Sequence, residues 1–118
     1  MHFLPEHIDQ YAIDHSGDEP ELLQQLTRET WQKVLNPRML SGNFQGRILA
    51  MISKLINPKN ILEIGTYTGY SALCLAEGMQ KEGTLDTIDI KEELVSIQQK
   101  YFDLSPWKDQ ITAHLGNA

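Results

Sequence analysis

The sequence predicts an α/β fold: N-terminal helices followed by one half of a doubly wound parallel sheet, strand order 3-2-1. Three observations predict it. Asn60 to Ser71 (Asn-Ile-Leu-Glu-Ile-Gly-Thr-Tyr-Thr-Gly-Tyr-Ser) reads as a short apolar strand, a turn punctuated by Gly65 and Gly69, and the start of a helix. Thr84 to Ile90 reads as a second strand ending in acidic Asp89, with helical spacing after it. Gln110 to Leu115 reads as a third strand. Right-handed crossovers then set the three strands in one parallel sheet.

In chain order, Pro5 fits the first turn of a helix with Ile8, Tyr11 and Ala12 on one face, ended by Gly17-Asp18. Asp18-Glu19-Pro20-Glu21 starts the next, placing acidic groups at the positive end of the macrodipole. Its stripe runs through Leu22, Leu23, Leu26, Thr30 and Val34, and Asn36-Pro37 stops it. Met39 to Gly42 is a loop, with Ser41 as candidate cap for a third helix. That helix carries Ile48, Leu49, Met51, Ile52, Leu55 and Ile56 on a broad apolar face and breaks at Asn57-Pro58. Ile61, Leu62 and Ile64 predict a strand buried on both faces. The helix after the Gly turn carries Leu73, Ala76 and Met79 and ends near Glu82-Gly83. Lys91 to Phe102 is helical, with Leu94, Ile97 and Tyr101 on one side, and Ser105-Pro106-Trp107 turns into the third strand.

The half sheet leaves its central strand open on one side. The 118 residues therefore read as part of a protein roughly twice as long. The alternative is a complete small domain that closes its edge by dimerisation.

The net charge of −6 argues against a general nucleic-acid binder and against an anionic-membrane binder, both of which need a basic face. Cys74 is the single cysteine, so there is no disulfide framework and no cysteine-based zinc site, and it reads as a buried helix residue. His2, His7, His15 and His114 lack metal-ligand spacing and read as surface or packing residues. With no basic region and apolar core at the N-terminus and no apolar run approaching about 20 residues, a cytoplasmic location is expected.

The chemistry sits where strand one meets the Gly turn. In place of G-x-G-x-x-G the chain has Glu63-x-Gly65-x-x-x-Gly69. A carboxylate there would repel a pyrophosphate and attract a cationic ligand, which favours a nucleoside carrying an ammonium or sulfonium group over NAD or FAD. Asp89 ends strand two, 20 residues beyond Gly69. It is placed to accept hydrogen bonds from ribose hydroxyls, or to cap the helix that starts at Lys91.

The turn Asn60 to Leu73, together with Gly83-Thr-Leu-Asp-Thr-Ile-Asp-Ile90, resembles the class I S-adenosylmethionine-dependent methyltransferases. More narrowly it resembles the cation-dependent O-methyltransferases of catechol and caffeoyl-CoA type, N-terminal part only. Met39 to Gly46 is similar to that family's upstream cofactor loop, and the first 38 residues match only as helical additions. The resemblance implies a Rossmann-like methyltransferase fold divided into a helical segment, 1–38, and the N-terminal half of the S-adenosylmethionine-binding domain, 39–118. It implies that Met39 and Ser41 line the cofactor, that Glu63, Gly65 and Tyr67 shape the methionine pocket, and that Ser71 caps its helix while contacting the methionine carboxylate. Asp89 takes the ribose, and Asn117 and Ala118 border the adenine. Tyr70 joins Tyr67 as an aromatic contact, with packing as the alternative for each. The implied reaction is methyl transfer to a hydroxyl of a small phenolic or catechol-like substrate, helped by a divalent cation such as Mg whose ligands, with the catalytic base, have no match in residues 1–118. The second reading is a non-catalytic half domain that binds an adenosyl ligand or self-associates as a homo-oligomer.

Overall fold

A computed structural model describes residues 4–118; His2 lies outside them. Five helices and three strands follow in order: α1 (Glu6–Asp14), α2 (Glu21–Lys33), α3 (Gly42–Ile56), β1 (Asn60–Ile64), α4 (Tyr70–Ala76), β2 (Thr84–Asp89), α5 (Val95–Leu104) and β3 (Ile111–Leu115). Single 3₁₀ turns at Pro37–Met39 and Glu92–Leu94 precede α3 and α5. The sheet is parallel in the order β1-β2-β3, as the crossover rule requires.

The strand register sorts the sheet into two unlike faces. Ile61, Leu85 and Ile111 lie side by side, as do Glu63, Thr87 and Ala113. The apolar members of that face join a core with Leu73 and Ala76 of α4, Leu94, Ile97, Tyr101 and Phe102 around α5, and Leu23 and Leu26 of α2. The opposite face carries Leu62 and Ile64, 72% and 70% exposed, beside Thr112 and His114, also exposed. The expectation that β1 is buried on both faces is therefore corrected. Among the described residues its helices pack on one face only, and β1 pairs on one edge only.

Helix α3 also departs from its apolar pattern. Its buried residues are Gly46, Ala50 and Ser53, a small-residue stripe at helical spacing. Of the broad apolar face read from the sequence, Leu49 packs against the core, while Ile48, Met51, Ile52, Leu55 and Ile56 are exposed, Leu55 at 80% and Ile56 at 67%. The reason is close approach to α4. A Cβ on Gly78, just past α4, would lie 2.2 Å from the backbone of Ser53 and Lys54, and Ser53 Oγ donates to the Leu75 carbonyl at 2.5 Å. Small residues let the two backbones meet, and large ones are excluded from the contact. Helix α4 ends at Ala76, well before the predicted Glu82-Gly83. Asn57, left-handed at φ +50°, caps the C-terminus of α3 ahead of Pro58.

Helix α1 has no buried residue, so the predicted Ile8–Tyr11–Ala12 face stays largely uncovered. Helix α2, by contrast, is part of the core. Thr30 donates to the Leu26 carbonyl and lies 3.2 Å from Thr68 of the Gly turn. Glu29 accepts from Lys100 and Tyr101 of α5 at 2.6 and 2.9 Å, and the Lys100 bond leads in holding its carboxyl below the usual range. Cys74 is fully buried, and burial pushes its thiol up to about 12, which makes it inert.

Candidate functional site

The turn between β1 and α4 lies beyond the carboxyl end of the sheet, where open α/β folds bind their ligands. Two glycines shape it. Gly65 has φ +99° and Gly69 φ +100°, a region that L side chains enter at a cost. The Gly65 amide bonds the Ile88 carbonyl at 2.8 Å, which continues the β1–β2 pairing into the turn. Nothing lies within 4 Å of where a Gly65 Cβ would stand, so this stretch of backbone faces open space. Gly69 is the opposite case: it is packed against the Phe102 ring and serves as N-cap of α4.

Glu63 lies beneath the turn. Its carboxylate accepts from Ser71 Oγ at 2.5 Å and from Thr87 Oγ1 at 2.8 Å. Thr87 spends its one proton on Glu63, so the 2.6 Å contact between Thr66 and Thr87 has Thr66 as donor. Burial raises the Glu63 pKa most, the two hydroxyls lower it, and the nearby Asp89 carboxylate raises it again. Glu63 is thus a half-buried carboxyl kept in place by two hydroxyl donors close to a second carboxyl.

Asp89 ends β2 with both carboxylate oxygens engaged by backbone. Oδ2 accepts the Tyr67 amide at 2.7 Å and Oδ1 accepts the Lys91 amide at 3.1 Å. Asp89 does not cap the following helix as the alternative had it: Lys91 is the N-cap of the 3₁₀ turn and Leu94 that of α5, both without a side-chain capping bond, so the Lys91 contact only fixes the carboxylate locally. Each oxygen keeps a lone pair, so the fixed carboxylate still has acceptor capacity for a ligand. Gly116 donates to the Asp89 carbonyl at 2.8 Å, which brings exposed Asn117 and Ala118 to the same end of the sheet.

Tyr67 is left-handed at φ +50°, a rare conformation for an aromatic residue. Its amide goes to Asp89, its carbonyl accepts Gln98 Nε2 of α5 at 2.7 Å, and its hydroxyl donates to the Asn36 carbonyl. The Asn36 carbonyl also accepts the Met39 amide at 3.2 Å, so the segment holding Met39 and Ser41 is tied to the turn through Asn36. Tyr67 lines a cavity of about 450 Å³ with Val34, Asn36, Lys91, Leu94 and Ile97. Of the residues expected at the site, Tyr67 alone borders that cavity. Of the rest, Gly65, Asn117 and Ala118 are exposed, Met39 is half exposed, and Glu63, Ser71 and Asp89 are half-buried.

Two expected roles are corrected. Ser71 does not cap α4: Gly69 holds that position, no side chain caps the helix, and the Ser71 hydroxyl is spent on Glu63. The Tyr70 side chain belongs to the core, 2% exposed, packed beside Gly46 of α3 and donating to Glu19. Ser41 is the N-cap of α3 by position, without a capping side-chain bond. Sequence reasoning missed Thr66, Thr87, Gln98 and Asn36. The Glu63–Thr87 pairing follows only from the strand register, and the others depend on contacts between distant elements.

Comparison with known proteins adds the following. A family model described as O-methyltransferase matches residues 13–118. The chain is 31% identical over 113 residues to a catechol O-methyltransferase of Niastella koreensis, covering 96% of this chain and 51% of that protein. It is 40% identical over 86 residues to a caffeoyl-CoA O-methyltransferase of Pinus taeda, covering 71% of this chain and 33% of that one. The chain thus spans about half the length of the first curated relative and a third of the second. Among solved structures, a Bacillus cereus O-methyltransferase in complex with SAH superposes at TM-score 0.84 with 26% identity, over 94% of this chain and 50% of that one. An SAH-bound methyltransferase of Podospora anserina superposes at TM-score 0.88 over 98% of this chain and 53% of that one; at 24% identity it speaks for the fold alone.

Proposed function

This chain belongs to the O-methyltransferase family, and we propose that it supplies the adenosyl-donor site of a class I S-adenosylmethionine-dependent enzyme methylating a hydroxyl of a small phenolic or catechol-like substrate. The observation that carries the reading is the Asp89 carboxylate, fixed by two backbone amides at the end of β2 beside the open Gly65 backbone. In this reading Asp89 accepts the ribose hydroxyls, and Gly65 lets the methionine end approach the backbone. Glu63 holds negative charge near the sulfonium, with Ser71 bound to it. Met39 and Ser41 close one side of the site and Asn117 and Ala118 the adenine side. Tyr67 positions Asp89 through its amide. When bound, S-adenosylmethionine supplies the electrophilic methyl group.

The boundary between 38 and 39 is then functional rather than a packing boundary, since α2 shares the core. The divalent cation implied by the family resemblance finds no ligand set here. Among the described residues no group of three His, Cys, Asp or Glu side chains is placed to hold a metal. No helix among them is long and apolar enough to cross a membrane, and a cytoplasmic location belongs to this proposal. The test is calorimetric titration with S-adenosylhomocysteine. Binding that is lost in Asp89→Ala supports the site, and no binding by the folded wild-type chain overturns it.

One observation favours the second reading, a self-associating module without chemistry. Among the described residues one edge of β1 has no partner strand, beside exposed Leu62 and Ile64, and such edges recruit further strands.

A further inference from the structure

We infer that Gln98, on α5, is a positioning residue of the adenosyl site, an inference that rests on the function proposed above. Gln98 is 3% exposed, in a helix whose other inward residues are Ile97, Tyr101 and Phe102. A buried amide costs desolvation that an apolar side chain in the same place avoids. Its Nε2 is spent on a single loop acceptor, the Tyr67 carbonyl, at 2.7 Å. That carbonyl belongs to the residue with φ +50°, whose amide bonds Asp89 Oδ2. The two polar groups of the Tyr67 backbone are thus held from two elements, β2 through Asp89 and α5 through Gln98.

The consequence is directional. Left-handed backbone at a bulky residue persists only where its surroundings enforce it. Without Gln98 the Tyr67 carbonyl loses the bond that opposes relaxation. When Tyr67 relaxes, its amide turns away from Asp89 and the carboxylate loses one of its two fixed donors. Gln98 touches no ligand in this account; it sets the direction in which Asp89 presents its free lone pairs.

The experiment is a double-mutant cycle on the whole chain with S-adenosylhomocysteine as titrant: wild type, Gln98→Leu, Tyr67→Gly and the double variant. Glycine adopts the left-handed region freely, so Gln98 has nothing to enforce in the Tyr67→Gly background. Expected is a loss of affinity of about tenfold for Gln98→Leu in the wild-type background and less than about threefold in the Tyr67→Gly background. Amide hydrogen exchange of unliganded protein, resolved at Tyr67, should show loss of protection in Gln98→Leu. Gln98→Met, which keeps the length of the side chain and removes the donor, should show the same loss, and circular dichroism checks that each variant is folded. Unchanged Tyr67 protection in folded variants overturns the inference, as does an equal affinity loss in both backgrounds. Failure of the wild-type chain to bind overturns the proposed function instead, and the exchange measurement still decides whether Gln98 holds the turn.

Discussion

Gly69→Ala separates two costs that most glycine substitutions mix. Gly69 sits at φ +100°, and placing an L residue in left-handed backbone costs about 1–2 kcal/mol. The new Cβ would also lie 2.8 and 2.9 Å from Cε1 and Cζ of Phe102, a ring only 1% exposed. Carbon atoms prefer separations of about 3.5–4.0 Å, so the ring must give way inside a packed core, at about 1–3 kcal/mol. The total is about 2–5 kcal/mol, a large share of the stability of an ordinary domain. Gly65→Ala is the control. Its φ is nearly the same, +99°, but nothing lies within 4 Å of its Cβ position, so it should lose only the about 1–2 kcal/mol of backbone strain. Urea unfolding followed by circular dichroism measures both variants. The expected difference between them is about 1–3 kcal/mol, with unchanged slope. Equal losses would refute the argument that Gly69 exists to admit the Phe102 ring.

The other predictions concern charge and the open edge. The Glu63 carboxyl has a folded-state pKa raised above its ordinary 4.5, so its contribution to stability is full below that value and is lost as pH rises through the raised one. Glu63→Gln should therefore gain on wild type in urea midpoint as pH rises from 4.5 through the raised value, while binding S-adenosylmethionine, whose sulfonium the carboxylate would face, more weakly; an offset that stays constant with pH would contradict the burial argument. If the β1 edge and the exposed Leu62 and Ile64 drive association, light scattering should show mass rising with concentration, and Ile64→Lys should restore a monomer. A concentration-independent monomeric wild type would exclude it.

What the sequence made legible follows from local rules. The strand–turn–helix at Asn60 to Ser71, the strand ending in Asp89 and the sheet order all rest on spacing, glycine and crossover handedness, and the structure has each of them. The errors share a cause. The apolar patterns of α3 and β1 correctly mark faces that bury poorly in water, but a pattern does not say which neighbour covers a face. Gly46, Ala50 and Ser53 looked unremarkable beside Ile48 and Ile52, yet the α3–α4 crossing selects the small residues. At the candidate site, the placing of Glu63, Gly65 and Asp89 at the carboxyl ends of β1 and β2 was legible from strand and glycine spacing. Tyr70 was misread because, as the first residue of α4, it follows a turn whose path the sequence does not give, and so the direction of its ring is not fixed by periodicity. Gln98 and Asn36 were invisible because each acts on Tyr67 from 31 residues away.

The account's central claim is that an adenosyl ligand binds at the carboxyl ends of β1 and β2. Backbone amide shift mapping of the chain with S-adenosylhomocysteine tests it directly. The account predicts saturable shifts concentrated on Gly65 to Ser71, Asp89 to Lys91, Asn117 and Ala118, with weaker ones at Met39 to Ser41. Shifts confined to the cavity beside Glu29, Lys33 and Glu93, or no saturable shifts at all, would contradict it.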